Sequence, residues 1–168
     1  MKTIFASLLL LAPLASAAEP LANPLIDYPT FRKIALEVQP VREARRVTEA
    51  QFAEMSAESG TIVLDARSAD KYAMRHIRGA VSLPFTDFTV ESLAHAIPAK
   101  NTRILIYCNN NFRGAPVSLT GKLAPASLNI STYIALRTYG YTNVYELGPL
   151  LDVATTKLPF EGTEVRGR

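Results

Sequence analysis

Residues 103–108 read Arg103-Ile104-Leu105-Ile106-Tyr107-Cys108, an apolar run that ends in the single cysteine of the 168-residue chain. A second run, Thr61-Ile62-Val63-Leu64-Asp65, ends in a carboxylate. Runs without polar alternation are typical of strands that are covered on both faces, as in a parallel sheet. Functional groups collect beyond the carboxyl ends of such strands, so we expect Asp65 and Cys108 at the functional edge of the sheet.

The segments around these runs alternate between helical and extended patterns. A short strand at 46–48 is expected to lead into a helix that opens with the capping box Thr48-Glu49-Ala50-Gln51. Further helices are predicted over 69–75, 89–97 and 127–139, and further strands over 80–83 and 143–147. The order β-α-β-α-β-α-β between residues 61 and 147 predicts an α/β fold with a parallel sheet.

The two ends of the chain predict a leader, an extension and a tail. Residues 1–17 carry Lys2, a short apolar run and the small residues Ala15-Ser16-Ala17, which indicates a cleavable signal peptide, with an N-terminal membrane anchor as the alternative. We interpret residues 18–45 as an extension packed on the domain, 46–150 as the domain and 151–168 as a C-terminal tail. The expected product is an exported protein of the periplasm, with no membrane attachment after cleavage.

Composition excludes several classes of protein. The chain has 18 Lys and Arg against 15 Asp and Glu, a net charge of +3, and no Trp, which does not fit a nucleic-acid-binding protein. Two histidines and one cysteine that never approach ligand spacing predict no metal site. With one cysteine the chain cannot form an internal disulfide, so the thiol is either buried and inert or free and reactive.

Turn-forming residues follow the cysteine in the segment Asn109-Asn110-Asn111-Phe112-Arg113-Gly114. Because Asn tolerates the left-handed backbone region, three in a row can curl the chain until several N–H groups face one point. Such a nest would stabilise a thiolate at Cys108 and an anionic substrate. Arg113 is a candidate cationic anchor for an oxyanion. The alternative is a buried cysteine that acts as a small apolar residue.

Three other residues are candidates for structural support of this edge. Asp65 and Arg67 are expected to form a charged hydrogen bond that pins the loop after the first run. His76 could act as a general base for Cys108, but the sequence supplies no third group to orient it. We therefore interpret His76 as a structural histidine.

Five motifs in the right order resemble the rhodanese family of sulfurtransferases. They are Leu64-Asp65-Ala66-Arg67, Asp70-Lys71-Tyr72, His76-Ile77-Arg78-Gly79-Ala80 with Leu83-Pro84, Ile106-Tyr107-Cys108, and Tyr139-Gly140-Tyr141-Thr142-Asn143-Val144-Tyr145-Glu146-Leu147. The resemblance implies a three-layer α/β fold with a central, mostly parallel sheet flanked by helices. It also implies that Cys108 attacks thiosulfate or a related sulfur-containing anion, becomes a persulfide, and passes the sulfur to a thiol or cyanide. A protein thiol is one possible acceptor, and no cofactor is implied.

The chain departs from this family at its active-site loop. Asn109, Asn110 and Asn111 stand where the family has Arg-Ser-Gly, and residues 114–126 contain two glycines and two prolines that predict an insertion before the next helix. Because of this insertion, the sequence alone does not ensure that a helix N-terminus faces the sulfur. Two alternatives to a sulfurtransferase follow: a non-catalytic binding module acting through residues 114–126, and a relative of the phosphatases and arsenate reductases.

Overall fold

The computed structural model describes residues 23–165. Its helices are α1 (Tyr28–Ala44), α2 (Glu49–Ala57), α3 (Ala69–Met74), α4 (Val90–Ala96) and α5 (Leu128–Thr138). Its strands are β1 (Arg46–Val47), β2 (Thr61–Asp65), β3 (His76–Ile77), β4 (Val81–Ser82), β5 (Arg103–Tyr107), β6 (Phe112–Arg113), β7 (Val144–Leu147), β8 (Leu151–Asp152) and β9 (Phe160–Glu161). The predicted signal peptide, residues 1–17, lies outside the described residues. Between residues 23 and 165, no helix combines the length and the apolar character needed to cross a membrane.

A parallel sheet of five strands, in the order β1-β7-β5-β2-β4, forms the centre of the fold. Leu105 and Tyr107 of β5 pack into the core on one face, and Ile104 and Ile106 pack into the core on the other. Burial on both faces is the physical reason for the unbroken apolar run in this strand. The predicted α/β fold with a central parallel sheet is confirmed. Helices α3, α4 and α5 and strands β4 and β7 lie within two residues of their predicted bounds.

Helix α1 lies in the segment that the sequence predicts to be an extension. It begins at Tyr28, where the side chain of Asp27 caps the N–H of Thr30, and it runs for 17 residues through Pro40. Arg42 forms a bidentate ion pair with the buried Glu146 of β7, at 2.5 and 2.7 Å. Residues 28–44 of the predicted extension therefore form one long helix that is bound to the sheet through this ion pair.

The predicted C-terminal tail also belongs to the fold. Strand β8 pairs with β6, and β9 pairs antiparallel with β3. After β9 the chain turns at Gly162, whose φ is +124°, and the N–H groups of Thr163 and Glu164 donate to the carbonyls of Ala73 and Met74. The predicted domain boundary at residue 150 would separate strands that are paired with each other. In the structure, residues 151–165 are part of the domain.

Gly162→Ala should loosen this C-terminal segment. A Cβ at this position would collide with the carbonyl of Met74, and the positive φ disfavours any side chain. We expect the free energy of unfolding to fall by about 2 kcal/mol, as measured by urea denaturation. Gly121→Ala is the matched control, because a Cβ added there would have no atom within 4 Å. Equal stability of the two variants would show that the segment after β9 is not held in this way.

Candidate active site around Cys108

Cys108 directly follows β5 at the carboxyl edge of the sheet, and it is 1% exposed. Its N–H donates to Oδ1 of Asn111 at 2.9 Å. In return the N–H of Asn111 donates to the Cys108 carbonyl at 3.1 Å. These two bonds hold the backbone of Cys108 in a tight turn at the end of β5.

The asparagine triplet adopts a different conformation from the predicted one. Residues Asn109–Asn111 form a single 3-10 turn, and no residue other than glycine has a positive φ between residues 23 and 165. The prediction of a left-handed nest is therefore wrong. The side-chain amides of the triplet form hydrogen bonds with groups elsewhere in the chain. These hydrogen bonds hold the backbone in its right-handed conformation.

Asn111 is the buried member of the triplet, at 5% exposure. Its Oδ1 accepts from the N–H of Cys108 and from Nδ2 of Asn129 at 2.9 Å, and its Nδ2 donates to the carbonyl of Leu147 at 2.6 Å. These three partners belong to the loop, to α5 and to the end of β7. Asn111 therefore fixes the backbone of Cys108 relative to the two elements that flank it.

Asn109 and Asn110 hold the insertion against the loop. Nδ2 of Asn109 donates to the carbonyl of Thr120 at 2.8 Å. The amide of Asn110 makes two bonds to one residue: Nδ2 donates to the carbonyl of Lys122 at 2.8 Å, and Oδ1 accepts from the N–H of Lys122 at 3.0 Å. Both side chains thereby attach residues 114–126 to the loop, and their role in substrate binding stays a prediction.

Helix α5 begins beside the sulfur in spite of the insertion. Ser127 is its N-cap, but the Ser127 hydroxyl makes no capping hydrogen bond. Instead its Oγ lies 3.5 Å from Sγ of Cys108. The partial positive charge of a helix N-terminus and a hydroxyl donor both stabilise a thiolate. A helix N-terminus therefore lies beside the sulfur, which the sequence alone could not ensure because of the insertion.

The predicted pair of Asp65 and Arg67 is present and fully buried. Arg67 Nε lies 2.9 Å from Oδ1 of Asp65, and its Nη2 lies 2.5 Å from Oδ2. The same guanidinium donates to the carbonyls of Ser118 at 3.0 Å and Arg75 at 2.6 Å. Burial acts to lower the pKa of Arg67, but the hydrogen bonds and charge of Asp65 outweigh burial and raise it. The side chain therefore stays charged and pins the insertion through Ser118.

Tyr107 completes this buried group from β5. Its hydroxyl donates to Oδ2 of Asp65 at 2.5 Å and accepts from the N–H of Ile77 at 3.1 Å. Burial, and then the negative charge of Asp65, raise the pKa of this hydroxyl well above its ordinary value of 10.0. The neutral hydroxyl is thus part of the folded structure over the whole physiological pH range.

Phe112, Arg113 and His76 are not brought to the sulfur. Phe112 is buried against the rings of Tyr107 and Phe160. The side chain of Arg113 is 70% exposed and pairs with Asp152 at 3.3 Å, so the predicted oxyanion anchor points away from Cys108 in this structure. The substrate-binding role predicted for Phe112 and Arg113 therefore has no counterpart in the geometry.

His76 has the surroundings of a structural residue. Its ring stacks on Tyr72 with the centroids 3.7 Å apart, and its Nδ1 donates to the carbonyl of Tyr72 at 2.8 Å. Its Nε2 lies 3.6 Å from a carboxylate oxygen of Glu161 in β9. Both ring nitrogens are engaged away from Cys108, which agrees with the structural interpretation. Among residues 23–165, no group of His, Cys, Asp and Glu side chains could hold a metal ion.

Three residues of this site could not be predicted from the sequence: Ser127, Asn129 and Lys122. In the sequence, Ser127 is only the first residue of a predicted helix. That position does not indicate which group its hydroxyl contacts. Asn129 and Lys122 carry no motif, because their places depend on contacts with Asn111 and Asn110 across the insertion.

Ser127→Ala should slow the reaction of Cys108 with iodoacetamide at neutral pH. The variant loses a hydroxyl hydrogen bond to the sulfur, so we expect a rate about fivefold lower than that of the wild type. The melting temperature should change little, because this hydroxyl makes no capping bond. Ser127→Thr keeps the hydroxyl and should restore most of the rate. An unchanged rate in the alanine variant would contradict the contact.

Tyr107→Phe should destabilise the protein at neutral pH. It leaves the buried N–H of Ile77 unpaired, which lowers the free energy of unfolding by about 1–3 kcal/mol. In the wild type, the raised pKa of Tyr107 gives stability that is complete below the unfolded pKa of about 10 and is lost as the pH rises toward the folded pKa. The variant should therefore lose less stability under alkaline conditions, as measured by urea denaturation between about pH 7 and 11. Tyr28→Phe, on an exposed ring, is the control, and parallel pH curves for Tyr107→Phe and wild type would overturn the assignment.

Comparison with known proteins places this site in a family. The profile of the rhodanese-like domain matches residues 48–148. The thiosulfate sulfurtransferase PspE of Escherichia coli (strain K12) is 30% identical over 95 residues, which is 56% of this chain and 76% of that protein.

Solved structures share the fold. The BH2092 protein from Bacillus halodurans superposes with a TM-score of 0.53 at 20% identity, over 79% of this chain and 88% of that one. The rhodanese-like domain of the Alr3790 protein from Anabaena sp. superposes with a TM-score of 0.50 at 21% identity, over 71% of this chain and 80% of that one. With the profile match and the similarity to PspE, these findings show that the chain belongs to the rhodanese-like domain family, a family of sulfurtransferases.

Proposed function

We propose that this chain is a sulfurtransferase that carries a sulfane sulfur on Cys108, from thiosulfate or a related donor to a thiol or cyanide. The proposal rests on the groups that surround the sulfur of Cys108. The hydroxyl of Ser127 lies 3.5 Å away, and α5 begins at that point. These groups stabilise negative charge on sulfur, and the reaction requires that charge in both the thiolate and the persulfide.

The reaction proceeds in two displacements. In the first, the Cys108 thiolate attacks the outer sulfur of thiosulfate, a new S–S bond forms, and sulfite leaves with the electron pair of the broken bond. In the second, an acceptor thiolate or cyanide attacks the outer sulfur of the persulfide. The Cys108 thiolate then leaves, and the acceptor carries the sulfur away as a persulfide or as thiocyanate. Neither step requires an external oxidant or reductant.

The proposed reaction requires that the sulfur donor reach the sulfur of Cys108. Cys108 is 1% exposed, so the donor can reach it only when the adjoining segment opens. The attachments of Asn109 to Thr120 and of Asn110 to Lys122 lie at the exposed surface, where hydrogen bonds exchange readily with water. Transient opening of residues 114–126, followed by closure over the bound donor, is therefore part of the proposed catalytic cycle.

The proposed location is the periplasm. Its support is the predicted signal peptide at residues 1–17. The single cysteine is compatible with an oxidising compartment, because no second thiol in the chain can trap Cys108 in an internal disulfide.

Incubation of the purified protein with thiosulfate tests the proposal directly. Intact mass should increase by one sulfur atom, and a peptide map should place that atom on Cys108. Addition of cyanide should remove the atom and release thiocyanate. Cys108→Ser is the matched control and should gain no sulfur. A wild-type protein that gains no mass and forms no thiocyanate with thiosulfate or an organic persulfide would overturn the proposal.

A binding module is the second candidate, and the exposed apolar residues of the insertion favour it. Leu123 is 83% exposed and Val117 is 54% exposed, beside a cysteine that is itself covered. A protein that fails the mass experiment, but retains a partner through residues 114–126, would support this candidate. Exchange of both residues for serine should then release the partner.

A further inference from the structure

A cavity of about 520 Å³ opens beside the Cys108 loop. It lies at the carboxyl edge of the sheet, between the end of β2, the turn after β4 and the start of α5. Its lining includes Arg67, Phe85, Asp87, Asn109, Lys122 and Leu128. Asn109, the residue after Cys108, lines this cavity, so the cavity lies against the Cys108 loop.

The lining of this cavity carries an excess of positive charge. Lys71 and Lys122 both line it, and neither forms an ion pair within residues 23–165. The charge of Arg67 is balanced by its buried pair with Asp65. The remaining acidic group is Asp87, so the two ammonium groups exceed it by one charge. An anion is therefore the favoured occupant.

The place of Lys122 in this cavity is fixed by the loop itself. Asn110 holds both the N–H and the carbonyl of Lys122, at 3.0 and 2.8 Å. Lys71 is held from the other side, because its Nζ donates to the carbonyl of Val117 at 2.6 Å. Asn110 thus fixes the backbone of Lys122 relative to the Cys108 loop, and Val117 fixes the ammonium group of Lys71 relative to the insertion. By contrast, the cation within the loop, Arg113, is turned outward to Asp152.

We infer that the insertion completes the substrate site: Lys122, with Lys71, binds the charged end of an anionic sulfur donor and gives the protein its preference for anionic over uncharged donors. The inference rests on the proposed sulfurtransferase function and assigns a residue to donor recognition. The sulfonate oxygens of thiosulfate carry part of its double negative charge, and an ammonium group that binds them leaves the outer sulfur free for attack by Cys108. Asn110 is the positioning residue for this lysine.

Lys122→Gln tests the inference in the full-length protein. We expect the KM for thiosulfate to rise about fivefold, the kcat to change less than about twofold, and the salt dependence of KM to weaken. The KM for the persulfide of an uncharged thiol, which passes its outer sulfur to Cys108 with the thiolate as leaving group, should not change. Lys122→Arg should retain most of the affinity, and Asn110→Ala should raise the KM in the same direction as Lys122→Gln. Lys33→Gln, on the surface of α1, is the matched control and should leave both constants unchanged.

A second measurement separates this inference from the proposed function. Calorimetry of thiosulfate binding to Cys108→Ser, with and without Lys122→Gln, needs no turnover. We expect weaker binding in the double variant, again by about fivefold. Sulfur transfer by the wild type, together with an unchanged KM and unchanged binding in the Lys122 variants, would overturn the inference alone. Absence of transfer would overturn the proposed function, and the binding result would still decide the role of Lys122.

Discussion

Burial of the ion pair between Asp65 and Arg67 is the constraint on which the functional edge of this protein depends. Asp65 is 0% exposed and Arg67 is 3% exposed. Two charges can be removed from water only if their remaining hydrogen-bonding groups are also satisfied. The partners that satisfy them come from separate elements: the hydroxyl of Tyr107 in β5, the carbonyl of Arg75 after α3 and the carbonyl of Ser118 in the insertion. One buried pair thereby fixes three segments around the end of β2.

The position of the insertion follows from this constraint. Arg67 holds its middle through Ser118, and the loop asparagines hold Thr120 and Lys122 nearer its end. Because residues 114–126 are held along their length, the chain returns to the sulfur at Ser127 and starts α5 there. The site thus keeps a helix N-terminus at the sulfur, although the helix does not follow the loop directly. Residues 114–126 therefore form one side of the site.

The features that could be predicted from the sequence are those determined by local or periodic signals. Strands β2 and β5 have the predicted bounds, because burial on both faces leaves an unbroken apolar run. The capping box at Thr48 is present, because it needs only Gln51 three residues later. The pair of Asp65 and Arg67 is also local. The C-terminal strands β8 and β9 could not be predicted, since two residues each, paired with strands far along the chain, leave no periodic pattern.

The asparagine triplet shows why the loop itself could not be predicted. Asn has two properties: it tolerates a left-handed backbone, and its side-chain amide both donates and accepts hydrogen bonds. The first property can be judged from neighbouring residues, whereas the second depends on which groups the fold brings near. Here Lys122 and Leu147, far along the chain, offer backbone partners at 2.6 to 3.0 Å. These bonds hold the three residues in a right-handed turn, and the bonds from Asn110 to Lys122 also hold one wall of the neighbouring cavity in place.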